Sequence, residues 1–421
     1  MSDSESRSSS LLTWLLDPVR STAESAPERF QYTGTARAWV VPAAIGLAML
    51  VISVLGWLTN PEQFYVSYLA AWTFCLTISL GGLFFLFFNH LTKAGWSIVV
   101  QRINEALVWA FPMLVLLFIP IIIGMDELYS SWTDPTKFIE GHPNYDEITA
   151  GKEGYLNKPF WFIRVGAYFL LWCVLSYKLY TESLRQDMTG DSEAPANLRF
   201  TSAWGLPLSA VATMFFSFDV IMSLDAHWFS TIFGIYLFAG GMLGAIALII
   251  ILARSLQMSG MLTNAITKEH YHDLGKYLFG FTIFWAYIAF SQYILIWYAG
   301  IPEATIFFRE RLEMGWEWHS GMLILFHFAI PFLFLLPQIT KRIPAILTVL
   351  AIWLLGMHWY DMHWLNVPFI IEEGGFHWLD FTTWFGLFGL FLASVVFRLS
   401  RHSLVPHKHP YLRESLHFEN V

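Results

Sequence analysis

Ten apolar runs of about twenty residues each, separated by polar segments, restrict the fold of this chain more than any other feature. Such runs predict membrane spans, because lipid offers the backbone no hydrogen-bond partners and a helix satisfies its own. The composition agrees, since 56% of the 421 residues are hydrophobic and only 13% are charged. A soluble domain carries about a quarter charged residues. We therefore expect an all-α integral membrane protein with about ten transmembrane helices.

The runs also divide the chain into two tails and a membrane domain. The spans are predicted at residues 37–58, 65–90, 103–124, 159–180, 202–224, 229–254, 274–299, 320–340, 343–365 and 380–399. We expect a cytoplasmic N-terminal tail (1–36), a ten-helix domain (37–399) with an outer loop (125–158), and a cytoplasmic C-terminal tail (400–421). The apolar stretch 11–16 is too short for a secretion signal, so it is expected to lie on the membrane or on a neighbour.

The basic residues predict the orientation of the domain. With the N-terminus inside, 18 of the 24 Lys and Arg residues lie on the cytoplasmic side and six lie outside. This bias is the positive-inside pattern, so both termini are predicted to be cytoplasmic and the acidic loop 125–158 to face outward. The net charge of −8 favours no nucleic-acid partner.

A short repeat predicts how the spans associate. Residues 225–228 (Asp-Ala-His-Trp) close the fifth span, and residues 361–364 (Asp-Met-His-Trp) close the ninth. Four spans separate the two motifs, which predicts two four-helix bundles, spans 2–5 and 6–9, with spans 1 and 10 flanking them. Gly81-Gly82 and the pair Gly240 and Gly244 are expected to be close-packing positions between helices.

Asp219 is the clearest candidate for chemistry, because an ionisable group inside a membrane is costly. It lies roughly 25 Å along the fifth span at 1.5 Å per residue, in the outer half. One interpretation is a carboxyl that carries protons, and the other is a carboxyl satisfied by a neighbouring helix.

Other polar residues reach a similar depth, with Tyr287 near the middle of the seventh span, and are expected to gather in one outer polar cavity or half-channel. They are Arg164, Tyr287, Ser291, Gln292, His327 and His358. The inner half has fewer polar groups. Arg102 and Glu105 are interpreted either as a helix-end ion pair or, with His90, as a proton entrance.

The chain lacks the sequence motifs of a redox enzyme. Its two cysteines, Cys75 and Cys173, cannot hold an iron–sulfur cluster alone, and no attachment motif for c-type haem occurs. His327 and His358 are the only pair of histidines at a depth suited to a b-type haem. We expect no metal site in this chain, and any redox centres must belong to partner subunits.

Several segments carry a resemblance to a known family. They are Gly81-Gly82 with the following FFNHLTKAGWS (87–97), NKPFWFIR (157–164), SFDVIMSLDAHWFSTIFGIY (217–236), HDLGKYLFGFTIFWAYIAFSQYILIWYAGIPEATIFF (272–308) and YDMHW (360–364). Together they resemble the F subunit of bacterial alternative complex III, which is similar to the NrfD-like membrane subunit of polysulfide reductase. Family members often read Asn-Ile-Pro-Glu-Glu where this chain has Gly300-Ile-Pro-Glu303-Ala304.

The resemblance implies an accessory membrane subunit of a respiratory quinol oxidoreductase in the bacterial inner membrane. Quinol would be oxidised near the outer face, and electrons would pass through partner subunits to a cytochrome c or a high-potential iron–sulfur protein. The implied partners are a homologous C subunit, an iron–sulfur B subunit, c-type cytochrome subunits, small membrane subunits and lipids. The implied proton-path residues are Glu105, Asp219, Asp225 and His227, and Asp361 joins them through the repeat.

Four functions remain open from the sequence. The chain could translocate protons within the complex, or it could serve only as a structural anchor. It could also be a secondary transporter, although no paired Gly or Pro interruptions occur at matching positions. Finally, it could bind quinone (menaquinone or ubiquinone) and oxidise quinol itself, with His327, His358 and Asp219 around an aromatic cavity.

Overall fold

A computed structural model describes residues 26–35 and 37–420, and the predicted surface stretch 11–16 lies outside them. The described residues form ten helices that are long and apolar enough to cross a membrane, and they contain no β-strand. We number the helices α1 (Val40–Thr59), α2 (Pro61–Thr92), α3 (Gly95–Ile123), α4 (Lys158–Thr189), α5 (Ala194–Leu224), α6 (Phe233–Met258), α7 (Lys268–Ala299), α8 (Trp316–Leu335), α9 (Pro344–Phe369) and α10 (Trp378–Leu399). The predicted all-α membrane fold is confirmed.

Several helices begin earlier than hydropathy predicts, because capping residues start them in polar sequence. The Asn60 side chain accepts a hydrogen bond from the Gln63 amide at the start of α2, and Asn157 does the same for Phe160 in α4. Thr267 forms a capping box with His270 at the start of α7. These caps satisfy backbone donors that the first turn of a helix leaves unpaired. With these starts, and with α4 running on to Thr189 at its other end, α2, α4 and α7 each reach 32 residues.

Two sides of the helix array are defined by their connecting segments. The terminal side carries residues 93–94, 190–193, 259–267, 336–343 and 400–420. The loop side carries residues 124–157, 225–232, 300–315 and 370–377. The terminal side is the one predicted to be cytoplasmic, and that orientation stays a prediction.

The helices pack as two four-helix bundles, as the repeat predicted. In bundle A, α2 contacts α3 and α5, and α4 closes the ring by contacting both. In bundle B, α6 contacts α7 and α9, and α8 packs between those two. The bundles join along α2 and α6, while α1 and α10 pack against each other and against α2.

The contact between α2 and α6 is made backbone to backbone through glycine. A Cβ on Gly81 would overlap the carbonyl of Gly241, and a Cβ on Gly241 would lie 2.5 Å from the Thr77 carbonyl oxygen. Small residues permit such close approach of membrane helices. Residues 63–87 of α2 are buried without exception, so this helix is the centre of the molecule.

The repeated Asp-x-His-Trp motif does not occupy equivalent places, and this part of the prediction is wrong. Residues 225–228 lie in the loop after α5. Residues 361–364 instead lie inside α9, whose regular α-helical part ends at Asn366. The difference arises because α5 unwinds early, through a π-helical turn at Ser217–Ile221 and a 3-10 turn at Met222–Leu224.

A buried arginine fixes the loop side of bundle B. Arg311 is fully buried and donates hydrogen bonds to the carbonyls of Phe307, Trp364 and Leu365. Its guanidinium also lies 3.5 Å from the centre of the Phe307 ring. Burial lowers the pKa of Arg311 to about 9, although Glu310 opposes that shift. Arg311 therefore ties the segment 300–315 to the end of α9.

The C-terminal segment 400–420 packs closely against the terminal side. Ser403, Leu404 and Val405 are fully buried, and the Leu404 amide donates to the Phe30 carbonyl at 2.8 Å. Further along, the Ser415 hydroxyl donates to the Trp96 carbonyl at 2.6 Å. The tail therefore covers the terminal ends of several helices.

The glycine contact yields the first testable prediction. We expect Gly81→Val to lower the free energy of unfolding by more than about 3 kcal/mol, because the added carbons meet backbone that cannot move aside. The measurement is thermal unfolding of the detergent-solubilised chain, followed by size-exclusion chromatography. The matched control is Gly280→Val, since nothing lies within 4 Å of a Cβ at Gly280. Equal stability of the two variants would contradict the packing described above.

Candidate functional site

The polar residues predicted at one outer level do not gather in one cavity. They form two separate clusters in the loop-side half, one in each bundle, and a third cluster lies on the terminal side. Tyr287 belongs to none of them, since its side chain is 63% exposed on the surface of the helix array. Asp225 and His227 lie in the loop after α5.

Asp219 is the centre of the bundle A cluster and is completely paired. Arg164 of α4 donates to both of its carboxylate oxygens, at 2.9 Å and 2.8 Å, and the Tyr168 hydroxyl donates at 2.8 Å. Arg164 is itself held between two aromatic rings, 3.8 Å from the centre of Tyr155 and 4.3 Å from that of Phe160. A bidentate Arg–carboxylate pair of this kind is a strong, charge-assisted contact that fixes the orientation of both side chains.

The π-helical turn explains how α5 presents this acid. A π-turn leaves backbone groups without their usual helical partners and is frequent at functional sites. Here the freed Asp219 carbonyl accepts hydrogen bonds from the Trp161 indole at 2.7 Å and the Ser223 hydroxyl at 2.5 Å. The turn is thus satisfied by protein groups.

Asp361 is the centre of the bundle B cluster and has only neutral partners. The Tyr236 hydroxyl donates to one carboxylate oxygen, and the Trp285 indole donates to the other at 2.9 Å. The residue is fully buried. Within residues 26–35 and 37–420, no Lys or Arg lies within ion-pair distance of it. Burying an unpaired carboxylate is costly, and binding a proton removes that cost.

His358 lies beside Asp361 in a space made by two glycines. Thr77 donates its hydroxyl to the Phe74 carbonyl, so it accepts a hydrogen bond from His358 Nε2 at 2.9 Å. The other nitrogen, Nδ1, has no protein partner. A Cβ on Gly240 would lie 3.2 Å from this Nδ1 and 3.7 Å from an Asp361 oxygen. Gly240 therefore keeps open the gap between the imidazole and the carboxyl, a role beyond the close packing predicted for it.

His327 completes the bundle B cluster. It lies in a π-helical segment of α8, Leu323–Ala329, and its ring stacks on Trp285 at 4.0 Å between centres. The side chain is fully buried, and neither ring nitrogen has a protein partner. The Gln292 amide nitrogen is also buried without a partner. Buried polar atoms of this kind are usually satisfied by internal water.

The terminal-side cluster joins α3, α4 and the C-terminal segment. Arg102 binds Glu105 at 2.8 Å and Asp187 at 2.6 Å, and all three side chains are buried. Gln101 donates to Glu105 at 2.7 Å, and His407 Nδ1 lies 3.4 Å from Asp187. Here one cation faces two carboxylates, which is consistent with the predicted ion pair and adds a second acid to it.

A stripe of buried hydroxyls on α5 runs between the two ends of bundle A. His90 Nδ1 lies 2.9 Å from the Ser202 hydroxyl near the terminal side. Ser209 and Thr213 follow at seven and eleven residues from Ser202, so the three share a helix face. The hydroxyls of Ser209 and Thr213 are buried without protein partners, which again points to internal water.

Sequence reasoning missed several residues of these clusters. They are Tyr168, Asp187, Tyr236, Trp285 and His407, together with a buried pair in which His363 Nε2 lies 3.2 Å from Asp380. Most are Tyr, Trp or His residues whose type is common at membrane boundaries, so no sequence signal separates them from interface residues. Asp187 offered one signal, since it is an acid near the end of an amphipathic stretch.

Asp225 and His227 interact with the loop 124–157, and not with residues inside the membrane domain. His227 Nε2 contacts Asp146 at 2.5 Å, and the His227 amide donates to Asp225 at 2.8 Å. Burial raises the pKa of Asp146, but hydrogen bonds from the Thr149 amide and from His227 outweigh it and lower the pKa to about 2. These residues serve to dock the loop 124–157 on α5.

Candidate metal ligands are not clustered in the part of the chain that the structure describes, since no group of three His, Cys, Asp or Glu residues suited to a metal ion occurs there. The ring of His327 stacks on the Trp285 indole, and the ring of His358 packs beside Gly240 and Gly244.

Comparison with known proteins adds no family to this picture. The chain matches no protein-family model and no curated protein. The resemblance in the sequence motifs therefore remains an expectation, and function has to be argued from the clusters described above.

The terminal side yields a prediction about pH. Burial, followed by the charges of Arg102, Arg398 and Arg401, lowers the pKa of His402 to about 3. Burial, followed by Arg102, lowers the pKa of His409 to about 4. Both histidines are therefore neutral when the tail is docked, whereas an undocked tail takes up protons near pH 6.5. Docking is fully stable above pH 6.5 and weakens as the pH falls from there toward 4.

We expect hydrogen–deuterium exchange across residues 400–415 to accelerate between pH 7.5 and pH 5.5, after correction for intrinsic rates. The double variant His402→Gln, His409→Gln should remove most of this pH dependence. Loops on the other side, such as 124–157, serve as the internal reference. A tail whose protection is the same at both pH values would contradict the burial of neutral histidines.

Proposed function

We propose that this chain is a membrane subunit of a bacterial quinol-oxidising respiratory complex of the alternative complex III type. In that complex it would transfer protons and help to hold the partner subunits together. Support comes from the sequence segments that resemble the F subunit and from the two four-helix bundles with two flanking helices. Electron transfer would belong to iron–sulfur and c-type cytochrome partners beside a homologous C subunit, in the inner membrane.

The observation that carries the proton-transfer proposal is Asp361, a fully buried carboxyl without a counter-charge. Its two partners, Tyr236 and Trp285, are neutral donors that tolerate either protonation state of the acid. A group that changes charge during turnover must not be locked by a permanent ion pair. Asp361 meets this condition better than Asp219 does.

His358 would exchange protons with Asp361 across the gap above Gly240. Its Nε2 proton is engaged by Thr77, so Nδ1 is the free acceptor and faces the same space as the Asp361 carboxyl. One water in that gap would complete the link. His327, stacked on Trp285 with two unpaired nitrogens, would extend the chain of proton acceptors toward α8.

Asp219 and Arg164 would act differently, as a fixed charge pair that shapes bundle A. The pair is bidentate and is reinforced by Tyr168. Asp219 would therefore have a structural role instead of a proton-accepting one. The hydroxyl stripe from Ser202 to Thr213 would then be a water-filled route toward this pair, with Glu105 and Asp187 as acids on the terminal side.

A purely structural anchor is the second candidate function. It is favoured by the complete pairing of Asp219 with Arg164 and of Arg102 with Glu105 and Asp187. An anchor has no need of Asp361 as an ionisable group. The two candidates are therefore distinguished by replacing that one residue.

The first test of proton transfer is Asp361→Asn, measured as protons released per electron by the complex in proteoliposomes. We expect the ratio to fall clearly while the subunits still assemble, because Asn keeps the hydrogen bond from Tyr236 but binds no proton. Asp361→Glu is the control and should retain part of the ratio. Unchanged proton output in Asp361→Asn would favour the anchor.

A second variant tests the space beside Gly240 and leaves the Asp361 carboxyl unchanged. Gly240→Ala places a methyl group 3.0 Å from His358 Cε1, where it crowds the imidazole and would exclude the proposed water without adding charge. We expect slower turnover with assembly retained. Gly280→Ala on the open face of α7 should leave turnover unchanged. Normal turnover in Gly240→Ala would remove this gap from the proton route.

Replacing Asp219 should produce a different phenotype. We expect Asp219→Asn to lower the stability of the assembled complex by about 3 to 5 kcal/mol, because it leaves the Arg164 guanidinium largely buried without its anion. The double variant Asp219→Asn, Arg164→Gln should recover much of that loss. Stability is measured by thermal unfolding of the purified complex. A stable Asp219→Asn complex with reduced proton output would return Asp219 to the proton route.

A further inference from the structure

A small polar cavity opens on the terminal side, between the ends of α2, α3 and α5 and the C-terminal segment. Its free volume is about 30 Å³, which is space for two or three water molecules. The polar side chains around it include His90, Lys93, Gln101, Asn104, Arg199 and His409. The cavity lies at the level expected for lipid headgroups and the adjacent solution.

The lining of this cavity is cationic and contains no carboxylate among the described residues. Lys93 and Arg199 supply two positive charges. No acid forms an ion pair with either of them in the described part of the chain. Of the neighbouring acids, Glu105 is held by Arg102 and Gln101, and Glu414 lies against Gly95 at the start of α3. Lys93 and Arg199 themselves therefore lack an ion-pair partner among the described residues.

Two helices begin at this cavity, and in α3 the Val99 amide donates to the Ser415 hydroxyl oxygen. The residue before α3 is Ala94, and the residue before α5 is Glu193; neither side chain accepts a hydrogen bond from the first turn. Ser97 of α3 and Pro195 of α5 both line the cavity. Helix N-termini carry partial positive charge and attract anions.

Buried polar atoms around the cavity also lack partners. Asn104 is 1% exposed, and its Oδ1 accepts no hydrogen bond although its amide group is fixed on the Gly82 carbonyl. His90 Nε2 and Arg199 Nε are buried without partners as well. A guanidinium fork, an ammonium and an imidazole match the several oxygens of a tetrahedral oxyanion.

We propose that this cavity binds a phosphate group, either as free phosphate or as the headgroup of an anionic lipid. Without it, the two cations repel protons at the terminal end of the hydroxyl stripe on α5. A bound phosphate neutralises them and itself carries protons. The site stands on its own geometry and does not require the proposed respiratory function.

The test is phosphate binding by the full-length chain, purified through a tag in mild detergent with its natural partners. Isothermal titration with inorganic phosphate should give saturable binding in the wild type. Arg199→Gln should weaken it about tenfold or more, since it removes a charge-assisted bond. Arg413→Gln is the matched control, because Arg413 is exposed on the same side and lies outside the cavity. It should bind as the wild type does.

A second arm separates the two sources of phosphate. Native mass spectrometry of the chain from nanodiscs with anionic or neutral lipid should show a retained anionic lipid if the headgroup is the ligand. That lipid should be lost in Arg199→Gln. Arg199→Lys, which keeps the charge, shows whether a weak variant is merely unfolded. The proposal is overturned if neither phosphate nor anionic lipid binds, or if Arg199→Gln binds either as well as Arg413→Gln does.

Discussion

The close contact between α2 and α6 is the constraint on which the remaining structure depends. Glycine at positions 81 and 241 lets two helix backbones touch, and this contact joins two bundles that otherwise have separate interiors. It also brings Thr77 of bundle A within hydrogen-bond distance of His358 of bundle B. A larger side chain at either glycine would separate the bundles and open the polar centre to lipid.

Charge is handled in two distinct ways inside this membrane domain. Asp219 has Arg164 at hydrogen-bond distance, and Glu105 and Asp187 share Arg102. Among the described residues, Asp361 is hydrogen-bonded only by a phenol and an indole, which carry no charge. Burying uncompensated charge is expensive, and natural proteins retain such groups mainly where function requires them. This contrast assigns different roles to two aspartates that hydropathy alone treats alike.

Hydropathy predicted the ten spans and the repeat predicted the two bundles, because both depend on the order and length of segments. The same reasoning placed Asp219, His327 and His358 at similar depth, but depth does not give rotation about the helix axis. Tyr287 therefore appeared to belong to the interior although it faces outward. Partners far apart in sequence were also beyond reach: Arg102 pairs with an acid 85 residues away, and Asp361 with a tyrosine 125 residues away. The close packing of the C-terminal segment is not visible in hydropathy, since it combines a few buried apolar residues, such as Leu404 and Val405, with individual hydrogen bonds and buried histidines.

The claim that this subunit works within a redox complex is tested most directly by purifying it through a tag in mild detergent. Mass spectrometry would identify the co-purifying chains, and a reduced-minus-oxidised spectrum would detect haem. The proposed function predicts c-type cytochromes and an iron–sulfur subunit in fixed ratio to this chain, with the absorption of c-type haem. A chain that purifies alone and without colour from cells that respire normally would contradict it.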